Sequence, residues 1–495
     1  MSKKIIFKGI FFSFFAFLIN YLITFFLTPF ITNNIGTDAY GYVTLAKTFA
    51  SYALILMTAL NSYSSRFITI EYHSGNYQKA NSYFNSVFFA NFFISLFILS
   101  LVTLNIINIQ KFIHTPASLI KDVSILFILI FVNFVINTTS TAFQAAAYIK
   151  NKIDLANIFR GLSYLSEAII LFFLYNQFNP TVFFVGIGLC ISSIVLLLGN
   201  IYITKKFTPE LKIKFSQFKI NYVKELVING IWNSFNSLGN TLNSGLDLLV
   251  CSIFLDPVVM GQLSIAKSIC SIFSGIYQMA STPFHPSFLK SYASNDIKNL
   301  KNELEFSMKI SGLISNLTFA GFLSLGIIYY SLWIPNQDIK SVYILTVISI
   351  LSYVLEGVMY PLYYIYTLTI KNKVPCIITI LGGIINVFGM ILLLKYTHLG
   401  VYAIVLTTAV IMTIINGITN PIYMAKCLKI SPFFFYKNIF KHLLSCILMS
   451  FSFILITKHI MHYSWLLLII YAIFEIFIGI LLHCLVVFGI PIKKK

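Results

Sequence analysis

The chain has 495 residues, of which 58% are hydrophobic and only 10% charged, whereas soluble domains carry roughly 25% charged residues. So few charges cannot cover a water-facing surface, which excludes a soluble globular fold. The formal net charge of +19 would suit nucleic acid, but the lysines sit in short loops between apolar runs. The basic excess is therefore a topology signal, and no nucleic-acid partner is expected.

Read from the N-terminus, the apolar runs are ~20 residues long, enough to cross a ~30 Å hydrocarbon core as helix. They are continuous rather than alternating, so a β-barrel is not expected. Helices remain as the spanning structure that satisfies its own backbone polar groups. The first run follows Lys3, Lys4 and Lys8 in the manner of a signal peptide. It is too long for an h-region and lacks an A-x-A site, so it is expected to stay as a helix. The fold class is accordingly all-α and polytopic, with about fourteen transmembrane helices. The expected spans, numbered 1 to 14 in chain order, cover 9–31, 42–64, 82–106, 123–148, 155–176, 181–204, 226–254, 259–284, 306–330, 341–366, 374–395, 400–425, 435–457 and 464–489. Loops 205–225 and 285–305 are the longest, and no extramembrane domain fits between spans.

Orientation follows from the lysines. With the N-terminus inside, 27 of the 34 basic residues fall on the inner side, 5 on the outer, and 2, Lys47 and Lys267, inside spans. That split predicts N-terminus and C-terminus inside. The seven cysteines lie in or at the ends of apolar spans without metal-ligand spacing, so neither a disulfide framework, a metal site nor a cofactor is expected.

The chain also matches itself. A shift of 220 residues lays Gly41-Tyr-Val-Thr-Leu-Ala-Lys47 on Gly261-Gln-Leu-Ser-Ile-Ala-Lys267 and Asn20 on Asn240. The same shift superposes the loops around Ser74–Ala80 and Ser294–Leu300, and a shift of 221 lays Ile149-Lys-Asn-Lys-Ile153 on Ile370-Lys-Asn-Lys-Val374. Six spans separate the copies, an even number, so the repeat is parallel. The expected organisation is two six-helix lobes and two appended helices: an N-lobe over 1–204, a basic inner linker over 205–225, a C-lobe over 226–426, and spans 13 and 14 over 427–495. Two equal lobes facing a cleft suit alternating access by rocking; the plainer reading is a duplicated scaffold without a transport role.

Apart from basic residues near the inner ends of spans, six charges inside spans stand out: Lys47, Glu167, Asp247, Lys267, Glu356 and Glu475. Each costs at least ~2.5 kcal/mol at the centre of a lipid-facing helix, so most are expected to face protein or a wet cavity. Lys47 and Lys267 each lie six residues past a helix-opening glycine, so ~9 Å along the helix at 1.5 Å per residue. They either converge on the cleft or snorkel to the outer head groups. Asp247 lies beside Asn240, Thr241, Asn243, Ser244 and Gly245, the most polar stretch of any span. It is a candidate for coupling to Na⁺ or H⁺, or for pairing with a cleft lysine. Glu356, near Tyr353 and Pro361, is the second ion-coupling candidate, and Glu167 and Glu475 are read as packing or pairing groups. Pro29, Pro283 and Pro361 are read as hinges or fixed kinks.

Leu27-Thr-Pro-Phe-Ile-Thr-Asn-Asn-Ile-Gly36 with Tyr40-Gly41, Gly261-Gln-Leu-Ser-Ile-Ala-Lys267, and Asn386 with Leu399-Gly400 resemble the polysaccharide-repeat-unit flippases. That family sits in the superfamily that also holds multidrug antiporters and lipid II flippases. The resemblance covers most of the chain and is weakest over spans 13 and 14. It implies export of undecaprenyl-pyrophosphate-linked oligosaccharide across a bacterial cytoplasmic membrane. On that reading Lys47 and Lys267 would hold the diphosphate as point charges. Tyr40 and Tyr42 would stack on sugar rings, unless they are interfacial belt residues. The alternatives are a lipid II or teichoic-acid precursor flippase, a multidrug or cation antiporter, and a membrane glycosyltransferase or polymerase. A cation antiporter favours carboxylates where the repeat-matched pair is basic. An enzyme needs positioned acid and base groups, whereas the outer acids Asp38, Asp122, Asp256 and Asp338 are scattered singly, so no enzyme is expected.

Overall fold

The computed structural model describes the backbone of residues 3–106, 115–116, 119–150, 152–294, 296–369, 371–458 and 463–489; within it, side chains 3–17, 20, 244, 286 and 293 are left out. Lys111 and Lys493 to Lys495, counted in the charge distribution, and Asn151 and Ile370 of the repeat motif lie outside the described residues. The described residues form helices and no strands.

Helix α1 is Lys3–Asn34, and α2 to α6 are Thr37–His73, Tyr77–Ile106, Ile120–Ile149, Ile153–Gln177 and Phe183–Phe207. Helix α7 begins at Ile220, and α8 to α14 are Pro257–Phe284, Ile297–Trp333, Ile339–Leu368, Lys373–Tyr396, Val401–Leu428, Phe433–Thr457 and Trp465–Phe488. Twelve helices among the described residues, α2 to α6 and α8 to α14, are long and apolar enough to cross a bilayer; much of α1 lies outside the residues whose side chains are described. The all-helical, multi-pass fold is as expected, and twelve of the fourteen expected spans are found among the described residues. The continuous span expected over 226–254 is corrected: α7 runs Ile220–Asn240, widens into a π turn at Thr241–Gly245 and resumes as Asp247–Phe254. The polar stretch is the cause. Asn, Thr, Ser and Gly are weak helix formers that compete for backbone hydrogen bonds, and a π turn frees carbonyls that must find partners elsewhere.

Many large apolar side chains are exposed along the helices, while several polar and charged ones are buried. Phe172 is 75% exposed and Asp247 0%, as expected when lipid rather than water is the solvent.

The chain divides into two compact units, Met1–Thr241 with Asp256–Gly261, and Leu242–Leu255 with Gln262–Lys495. It thus passes from the first unit to the second within the π turn of α7. In the first unit, Asn61 of α2 and Asn91 of α3 exchange amide hydrogen bonds of 3.2 and 2.8 Å, and Thr141 of α4 joins both. The Asn200 amide of α6 donates to Ser140 at 3.0 Å. Such neutral polar contacts bind helices where no hydrophobic force separates them from lipid. Gly230 brings α7 against α2, because a Cβ there would meet the Ala59 carbonyl. Gly41 and Gly261, equivalent in the repeat, touch: a Cβ on Gly41 would lie 3.0 Å from the Gly261 nitrogen.

Helix interruptions recur in register. Helix α2 turns at Ser62 and Tyr63, and α8 ends in a 3₁₀ turn at Thr282–Phe284. Helix α4 carries a 3₁₀ turn at Thr141–Gln144 and α10 one at Tyr360–Tyr363. Pro283 and Pro361 sit in two of these turns, where a missing N–H costs little, while Pro29 lies within α1.

The basic linker lies on the first unit. Lys212 N–H donates to Asn81 at 2.8 Å and Lys214 N–H to Asn85 at 2.7 Å, while the Asn85 amide donates to the Lys212 carbonyl at 2.9 Å. Lys219 N–H donates to Ser86 at 3.0 Å. Tyr72 donates to Glu210 at 2.7 Å, which holds that carboxyl below its usual range. Asn85→Ala removes two linker bonds at about 1 kcal/mol each. It is expected to speed trypsin cleavage at Lys212, Lys214 and Lys219 roughly tenfold or more, since cleavage follows local opening; gel-resolved time courses check this, and an unchanged rate counts against the pinning.

Candidate buried charge site

The second unit gathers the polar groups of α7, α8, α11 and α12. Asn386 of α11 donates at 2.7 Å to the Asn243 carbonyl, inside the π turn. Asn243 in turn donates at 2.7 Å to the Thr379 carbonyl. One side chain thereby takes up a carbonyl in the stretch where α7 departs from regular helix. The turn delivers Asp247 to the start of the resumed helix, wholly buried. Thr408 of α12 donates to Asp247 Oδ1 at 3.2 Å, and the Asn386 amide reaches the same hydroxyl at 3.2 Å.

Asp247 Oδ2 forms an ion pair with the Lys267 ammonium of α8, whose side chain is 17% exposed. Of the two roles read for Asp247, pairing with a lysine is the arrangement present. An ammonium tethered to α8 sits where a mobile cation would otherwise be required. Cys270, one turn on from Lys267, is buried and feels both charges. Glu356 of α10 is half-buried; its field reaches Cys270 and Tyr353, and Tyr353 also feels Asp247. Asp247, Lys267 and Glu356 are thus electrostatically connected inside one unit.

The first unit places its own repeat lysine differently. Lys47 of α2 is exposed and makes no short ion pair among the described residues, but its charge acts on Glu167 of α5, which is buried. Tyr40 and Tyr42 are both buried, Tyr42 completely, so neither ring presents a free face in this conformation. Glu475 of α14 is buried and accepts from Ser324 of α9 at 2.7 Å.

Sequence reasoning did not single out His442 of α13 and His483 of α14, whose rings lie 5.1 Å apart and inclined at 36° in the second unit. His483 Nε2–H donates to the Lys309 carbonyl at 3.0 Å, which leaves Nδ1 to accept from Ser445 at 3.1 Å. No spacing in the chain announces two histidines 41 residues apart.

Removing one member of a buried pair leaves the other charge uncompensated, at about 3–5 kcal/mol. Lys267→Ala is therefore expected to lower thermal stability strongly. The double variant Asp247→Asn with Lys267→Met is expected to recover most of the loss. Melting of the detergent-purified proteins measures both, and a double variant no better than Lys267→Ala would deny that charge burial is the cause.

The comparisons with known proteins agree on the fold. The chain is 24% identical over 424 residues to the "Uncharacterized membrane protein EpsK" of Bacillus subtilis (strain 168), covering 86% of this chain and 84% of that one. It is similar to the structure titled "Lipid II flippase MurJ, inward closed conformation", with a TM-score of 0.63 and 18% identity over 93% of this chain and 99% of that one. It is also similar to an inward-facing multidrug resistance MATE family transporter of the MOP superfamily, with a TM-score of 0.66 and 14% identity over 85% of this chain and 99% of that one. These two likenesses concern the fold. The profile of the family described as "Polysaccharide biosynthesis protein" matches residues 6–292, more than half of the chain, and this multi-pass membrane protein belongs to that family.

Proposed function

We propose that the protein is a flippase that carries undecaprenyl-pyrophosphate-linked oligosaccharide from the inner to the outer leaflet of a bacterial cytoplasmic membrane. It works by alternating access, with both termini inside, and makes no covalent change in its cargo. Membership of the polysaccharide biosynthesis family supports the pathway. The observation that carries the mechanism is the buried pair of Lys267 and Asp247.

A diphosphate must shed water to cross hydrocarbon, and an ammonium offsets that loss. When the diphosphate recruits Lys267, Asp247 is left without its counter-charge and takes up H⁺ or Na⁺. Release of the cargo returns Lys267 to Asp247 and expels the ion. Cargo and ion binding are then linked through one lysine, each favouring the other. Lys47, at the equivalent place in the repeat, is the second cation for the diphosphate, held by the field of Glu167 when no cargo is bound. Glu356 is the second ion-coupling candidate. Tyr40 and Tyr42 meet a sugar ring only after the start of α2 opens, since both are packed.

A lipid II or teichoic-acid precursor is the second reading. It is favoured by helices α13 and α14, which extend the chain past the repeat, and by the coverage shared with the lipid II flippase structure.

Proteoliposomes loaded with fluorescent undecaprenyl-pyrophosphate oligosaccharide test the proposal. Lys47→Ala and Lys267→Ala are each expected to slow flipping at least about tenfold, the effect of losing one charge-assisted contact, at equal folded protein. Wild-type rates in both variants would remove the diphosphate role, and covalently altered sugar would indicate an enzyme instead. Asp247→Asn is expected to flip without responding to an imposed Na⁺ or H⁺ gradient; a full response in that variant would refute the coupling.

A further inference from the structure

Outside the Lys267 cluster, the second unit contains a cavity of about 250 Å³ bordered by α8, α9, α13 and α14. Phe273, Phe322, Tyr329 and Phe453 line it, and Glu475 projects into it. The Glu475 carboxylate is 98% buried, since its exposure is 2%. Ser324 donates to Oε1 at 2.7 Å, while Oε2 has no hydrogen-bond partner among the described residues. Among the described residues, no lysine, arginine or histidine lines the cavity. The carboxylate thus lacks the counter-charge that Asp247 has.

Two glycines build the site. Gly479, one turn beyond Glu475, brings α14 against Leu317 and Phe453, because a Cβ there would overlap both side chains. Gly321 of α9 leaves room beside Oε2: a methyl group on it would lie 3.6 Å from that oxygen, at ordinary contact distance.

We propose that this cavity binds a small lipophilic organic cation, its positive centre on Glu475 Oε2 and its apolar groups against the aromatic rings. Aromatic faces attract cations through their quadrupole, most strongly when water is excluded. A carboxylate inside the bilayer calls for an opposite charge. Glu475 lies ten residues into α14, about 15 Å along the helix at 1.5 Å per residue, so the ligand's charge is carried deep into the hydrocarbon region. That depth selects a cation shielded by carbon substituents, such as a tetra-alkyl or arylalkyl ammonium, over the strongly hydrated ammonium of a lipid head group. The volume falls below the roughly 300–1,000 Å³ of drug-sized pockets, which points to a compact ligand.

Radiolabelled benzyltrimethylammonium and its neutral isostere neopentylbenzene provide the test, on full-length protein in lipid nanodiscs. The wild type is expected to bind the cation saturably. Glu475→Gln, which keeps the shape and the Ser324 contact, should weaken binding by about tenfold or more. Gly321→Ala, whose methyl group fits, should weaken it several-fold, with melting temperatures reporting folding in both. Unlabelled neopentylbenzene should not displace the cation. Absence of saturable binding to the wild type, equal affinity in Glu475→Gln, or displacement by the neutral isostere at concentrations matching the cation's own would each overturn the proposal.

Discussion

A charge held in hydrocarbon calls for a counter-charge, and for Asp247 the protein supplies it from within, an arrangement around which α7, α8, α11 and α12 of the second unit are built. Asp247 is wholly buried, and a carboxylate there is tolerable only because Lys267 reaches it from α8 and Thr408 donates to it from α12. Asn386 binds the Thr408 hydroxyl and also takes up the Asn243 carbonyl in the π turn. The ion pair and the broken helix are therefore one construction. Straightening α7 would withdraw that carbonyl from Asn386 and shift Asp247 away from its partners.

The first unit shares the backbone plan without this chemistry. Its helix interruptions recur in the same register, in α2 as in α8 and in α4 as in α10. The contacts that join α2, α3 and α4 there, however, are neutral amides and hydroxyls around Asn61, Asn91 and Thr141. Lys47 has Glu167 only within its field, not in a short pair. Duplicated backbones have thus diverged in charge, with the tight pair in one repeat and a looser one in the other.

Most helices were legible because hydrophobicity in lipid is a property of the chain alone: twenty apolar residues are long enough wherever they fall. The break in α7 was only half legible. The polarity of 240–245 marked the stretch, but whether it bends depends on Asn386, more than 140 residues later. The repeat singled out Lys267, and its partner twenty residues earlier lies on another helix, so spacing could not decide between an ion site and a pair. Tyr40 and Tyr42 looked like rings at a mouth; their burial comes from packing that no local pattern encodes. Glu475 carried least signal of all, because its surroundings come from four helices.

The pinned linker bears on how the protein is made. Residues 205–240 complete their hydrogen bonds and packing with α2 and α3 of the same unit. Those partners have already left the ribosome when Asn240 emerges. Most of the first unit can consequently pack in the bilayer before the return of Asp256–Gly261 completes it, while the rest of the chain is still being translated.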